Sequence, residues 1–160
     1  MSTDSAIRDL LARSLGWSEA HVSLEDALRE MPEDLRGVRP DGLPHSAWEL
    51  LEHIRIVQRD ILDFSLPGRY DELEWPAEYW PKSPEPPGAE AWGQSIATVR
   101  EDRARLQELA RDPKIGLADI TPHGTDQTYL REILLVVDHT AYHLGQLILV
   151  RKLLGAWPAD

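Results

Sequence analysis

The chain has 160 residues, 42% of them hydrophobic and 28% charged, which predicts one domain over 1–160 with a core large enough to need no staples. With 17 Lys and Arg against 28 Asp and Glu, the net charge is −11, so no nucleic-acid phosphate or anionic lipid surface is expected as a partner. Cysteine is absent, which excludes disulfides, thiolate nucleophiles, iron–sulfur clusters and Cys-type zinc sites and leaves His, Asp and Glu to hold any metal.

The first residues carry neither a basic region nor an apolar run, so no secretory signal is expected and a cytoplasmic location is. Apolar periodicity predicts a first helix from about Thr3 to Met31, with Leu10, Trp17, Leu24 and Met31 spaced by sevens and Pro32 as its stop. A turn-rich segment, Pro32 to Pro44, follows. Ser46 and Glu49 form the signature of a capping box, opening a second helix whose stripe is Leu50, Ile54, Val57, Ile61 and Phe64.

From Ser65 to Ala89 the pattern changes, because six of the twelve prolines lie between Pro67 and Pro87. So many fixed φ angles and missing donors exclude a helix. Trp75, Tyr79 and Trp80 argue for an ordered crossover packed on the bundle, since disordered segments are poor in aromatics. A third helix is expected from about Ala89 to Arg111, then a loop from Lys114 to Gln127 containing Pro122-His123-Gly124. The fourth helix extends from about Thr128 to Leu154, with Gly155 as its C-terminal cap. Ile133 to Val150 is its longest apolar stretch, but Asp138, His139, His143 and Gln146 interrupt it, and no membrane span is expected. Since apolar residues cover nearly all its sides, this helix is predicted to be buried on nearly all of them. The charge clusters Arg100 to Arg105 and Glu25 to Glu30 read as solvated faces paired along their own helices.

His139-x3-His143 places two imidazoles one turn apart on one helix face. That spacing alone equally suits buried rings bonded to backbone. His53 lies at the edge of the core stripe of helix two, where a polar ring needs a partner, and adding it gives a three-nitrogen set. Three neutral imidazoles suit zinc, nickel, copper or ferrous iron and leave a coordination position open. Asp60 lies two turns after His53 and Glu132 two turns before His139, so each is a candidate base or partner for a ligand. His21 and His123 are further candidates, but core or surface packing explains them as well, and His45 reads as a surface residue. Gln146 suits either a contact to a ligand or packing, and the aromatics of the crossover suit packing or a pocket lining.

Trp48-Glu-Leu-Leu-Glu-His53 and Asp138-His139-Thr-Ala-Tyr-His143-Leu-Gly-Gln146 resemble the DinB/YfiT-like metalloenzymes, the second segment matching that family's H-x3-H-x-G-Q pattern. The resemblance implies a four-helix bundle of up-down-down-up topology, in line with the all-α reading, while the long Pro/Trp-rich crossover between helices two and three is more developed than the family's common pattern. It also implies a divalent metal ion, zinc or nickel, on His53, His139 and His143, and a homodimer. The implied activity is transfer of a low-molecular-weight thiol to an electrophilic small molecule; from the residues alone, an open position on the ion equally suits a water for hydrolysis, with Glu132 or Asp60 as the candidate catalytic base. Leu144 stands where many relatives have Arg, which puts the substrate in question. The alternative is a non-catalytic, metal-stabilised bundle that binds a partner or a second copy.

Overall fold

The computed structural model describes residues 2–158, and these are helical: five α-helices, a short 3-10 turn at Glu33–Leu35 and no strand beyond a single bridge between Ile120 and Thr128. The helices are α1 (Thr3–Ser14), α2 (Leu24–Leu28), α3 (Ala47–Phe64), α4 (Ala91–Arg111) and α5 (Tyr129–Leu153).

The expected first helix is in fact two. The Ser14 hydroxyl turns back onto the Leu11 carbonyl and the Gly16 amide bonds Arg13, which ends α1. Ser23 then starts α2 afresh, its hydroxyl accepting from the Asp26 amide at 3.0 Å. Short polar side chains and glycine offer the backbone local partners that compete with helix continuation. Leu10 and Trp17 are consequently solvent-exposed, while Leu24 and Met31 join the core. The capping box at Ser46 and Glu49 forms as expected, and the Thr128 hydroxyl caps α5 by accepting from the Arg131 amide.

Two groups of apolar side chains make up the core. One joins α2 and the first half of α3 to Trp92, Val99 and the second half of α5. The other joins α1, the end of α3, the end of α4 and the start of α5. Polar pairs stitch α3 to α4: Ser95 Oγ donates to Glu52 at 2.5 Å, Gln58 Nε2 to the Val99 carbonyl at 2.8 Å, and Arg59 meets the fully buried Asp102 at 2.6 Å. Between α1 and α4, Gln107 Nε2 donates to the Ala12 carbonyl and Arg8 to the Asp112 carbonyl. The Arg100–Arg105 stretch is therefore no simple solvated face, for Asp102 is buried and Arg103 crosses to Glu25 of α2.

Arg151 is buried on α5 and has no carboxylate partner among the described residues. Its guanidinium instead donates to the carbonyls of Ala27 and Arg29 at 2.7 and 2.9 Å, and again to Ala156. A cation is well placed there, at the negative end of α2, whose last carbonyls lack intrahelical partners.

α5 departs from its expected burial. Leu134, Leu135, Leu149 and Leu153 are 49%, 37%, 46% and 56% exposed, and Tyr142 beside them is exposed too. Packing against α3, α2 and α4 covers one side of the helix, through Val136, His143, Leu144, Leu147 and Val150. By length and composition alone α5 could cross a membrane, a property that core helices of soluble proteins share. Residues 65–90, between α3 and α4, contain no helix or strand. They are held by side chains: the Ser46 hydroxyl donates to the Pro84 carbonyl at 2.6 Å, and Tyr70 and Tyr79 both reach α3.

Candidate metal centre

His53 comes from the first half of α3, and His139 and His143 from the middle of α5. One side-chain nitrogen from each lies within 4.8 Å of the other two, and His53 Nε2 stands 3.0 Å from His139 Nε2. His53 and His143 are 3% and 7% exposed, and His139 is half-buried. Among the described residues no fourth His, Asp or Glu joins the group.

Hydrogen bonds fix the tautomers of two rings. His53 Nδ1 lies 2.7 Å from the Tyr79 carbonyl, which can only accept, so Nδ1 carries the proton and Nε2 keeps a lone pair. His143 Nδ1 likewise donates to Gln146 Oε1 at 2.9 Å, leaving its Nε2 free. This is the arrangement that metal-ligating histidines adopt: one ring nitrogen is committed outward and the other presents its lone pair inward. Burial pushes the pKa of His139 down to about 3, helped by His143 and His53. Burial also lowers that of His53 to about 4, and that of His143 falls in the same direction. All three rings are therefore neutral near pH 7, the form that binds a cation, and the donor set fits a divalent ion of the imidazole-preferring kind.

Around the cluster lie groups that the periodicity did not single out. Trp80 lies flat against His53, centroids 3.8 Å apart and planes within 4°, and presents its other face to His45 at 4.0 Å. His45 is thus not a free surface residue. It is half-buried, and its Nδ1 is enclosed without a hydrogen-bond partner. Tyr142, one residue before His143, meets that ring edge-on at 4.8 Å. The proline-rich composition of 65–89 signalled an irregular segment, but composition says nothing about where such a segment docks.

Asp60 is two turns along α3 from His53, and its carboxylate accepts the hydroxyls of Tyr70 and Tyr79 at 2.9 and 2.8 Å. Burial and that carboxylate push both phenol pKa values up. Glu132 is buried on α5, where Arg131 donates to it at 2.5 Å. Neither carboxylate is in the histidine group. His21 is exposed and bonds its neighbour's carbonyl, and His123 bonds the Leu66 carbonyl at 3.1 Å beside Tyr70; neither joins the cluster. Gln146 contacts a cluster histidine directly.

The family model described as DinB superfamily matches residues 17–147, a span that includes all three histidines. No curated protein and no solved structure matches the chain.

Proposed function

The chain belongs to the DinB superfamily, and on that premise we propose that it is an enzyme holding one divalent ion, zinc or nickel, on His53, His139 and His143. The observation that carries this reading is the convergence of three neutral imidazole nitrogens from two helices, two of them with the opposite ring nitrogen already committed. Three protein ligands without a fourth is the count that catalytic sites of this kind keep, whereas structural sites fill all four positions. A bound ion would supply Lewis acidity toward a thiol or a water molecule.

The chain's own groups favour one chemistry over the other. Hydrolysis assisted by a protein base calls for a free carboxylate beside the ion, and both candidates are engaged: Asp60 by two tyrosine hydroxyls and Glu132 by Arg131. Thiol transfer to an electrophilic small molecule needs only that the ion lower the thiol's proton affinity, which makes a low-molecular-weight thiol the preferred co-substrate. A cytoplasmic location, where such thiols are kept reduced, belongs to the same proposal.

The architecture proposed for the domain is a four-helix bundle of α1, α3, α4 and α5, up-down-down-up, with residues 65–90 as the crossover. Paired contacts support it. Between α3 and α4 the bonded pairs 52 with 95, 58 with 99 and 59 with 102 advance together, as in parallel helices. Between α1 and α4 the pairs 8 with 112 and 12 with 107 run oppositely. We also propose a homodimer formed through the exposed apolar side of α5.

Metal analysis of protein purified without chelators tests the central claim. One zinc or nickel per chain is expected in the wild type, and less than a tenth of that in His53→Ala and His143→Ala. A wild type that holds no stoichiometric metal, even after incubation with either ion, overturns the proposal.

A further inference from the structure

Seven residues separate His53 from Asp60 on α3, so the two lie on one face of that helix about 10 Å apart along its axis. They are too far apart to touch. Tyr79 spans the gap, its backbone carbonyl accepting from His53 Nδ1 at 2.7 Å and its hydroxyl donating to Asp60 Oδ2 at 2.8 Å. Tyr70 occupies the other carboxylate oxygen at 2.9 Å. The next residue, Trp80, lies against the His53 ring. A stretch with no helix or strand of its own is thereby pinned to the very face of α3 that carries His53. The pin matters because a loop carbonyl orients an imidazole only while the loop is held. Released, it would leave the ring free to turn and its Nδ1 proton to water.

We propose that Asp60 is a positioning residue for the metal centre, acting through Tyr79 to hold the His53 ring in its ligating orientation. The inference rests on the three-histidine reading above. A carboxylate suits the role because it offers an acceptor oxygen to each of two hydroxyl donors. Asparagine offers an acceptor oxygen and a donor amide, so one tyrosine hydroxyl must turn from donating to accepting and a charge-assisted bond is replaced by a neutral one.

A double-mutant cycle on the full-length chain, titrated with Co²⁺ as a spectroscopic stand-in for the resident ion, tests this. Asp60→Asn and Tyr79→Phe are each expected to weaken Co²⁺ binding by about tenfold, the low end of what partners of metal-bound histidines contribute. The d–d absorption should shift in both, while helix content by circular dichroism stays that of the wild type. The double variant should lose no more than either single one, because both changes break the same link. Variants that bind Co²⁺ as tightly as the wild type overturn the inference, and so do losses that multiply. If Asp60→Asn fails to fold, Tyr79→Phe alone decides by its affinity and spectrum. A wild type that binds no Co²⁺, zinc or nickel sinks the metal reading itself, an outcome distinct from intact binding in the variants.

Discussion

At the scale of single residues, the three histidines couple protonation to folding. Their folded pKa values lie below the unfolded value near 6.5, with His53 at about 4 and His139 at about 3, chiefly because burial disfavours the charged ring. Between those limits the unfolded chain binds protons that the folded chain refuses, so stability is full above about pH 6.5 and falls as pH drops toward 4. Thermal melts of the metal-free protein should show this decline, and His139→Leu should flatten it. An equally steep slope in that variant would assign the acid sensitivity to other groups. His53, His139 and His143 were legible in the sequence because helical spacing and an apolar setting mark a polar ring that needs a partner. Trp80 and His45 were not, since their stacking depends on how a proline-rich segment folds back, which no periodicity encodes.

At the scale of elements, helix ends are legible wherever one helix can be judged by itself. Ser46 with Glu49, Thr128 and Gly155 mark the ends of α3 and α5 as their side chains and conformations require. The errors arose where the outcome depends on contacts between elements. The spacing by sevens across Leu10, Trp17, Leu24 and Met31 continues through a break that Ser14, Gly16 and Ser23 impose. Asp102, apparently one more charge on a polar face, is buried against Arg59. Arg151 is the most consequential of these hidden contacts, for it satisfies carbonyls at the end of α2 that no other group among the described residues reaches. Arg151→Met keeps the packing volume of the stem but orphans them, and it should lower unfolding stability by about 2–3 kcal/mol. Urea denaturation measures this, and a loss under about 0.5 kcal/mol, the level of an ordinary surface substitution, would show that the link contributes little.

For the whole molecule, the all-helical class and the family were legible, while the open side of α5 was not. Apolar composition tells how much surface must avoid water but not whether the same chain or another one covers it. Leu135, Tyr142 and Leu149 recur every seven residues along that side, and a Cβ added at Gly145 would meet nothing within 4 Å. The proposed homodimer would bury that side against the same side of a second copy. Light scattering should therefore report a dimer at micromolar concentration, and Leu149→Glu should yield a folded monomer. A monomeric wild type would remove the dimer and leave the histidine site intact.

The indole of Trp80, sandwiched between His45 and His53, has one further consequence. Its light emission depends on the charge of whatever lies against its faces, and an imidazole that gains a proton or donates electron density to a cation becomes a stronger quencher. The centre thus carries its own optical gauge: loading or acidifying it should dim a fluorophore the chain already possesses, with no dye attached.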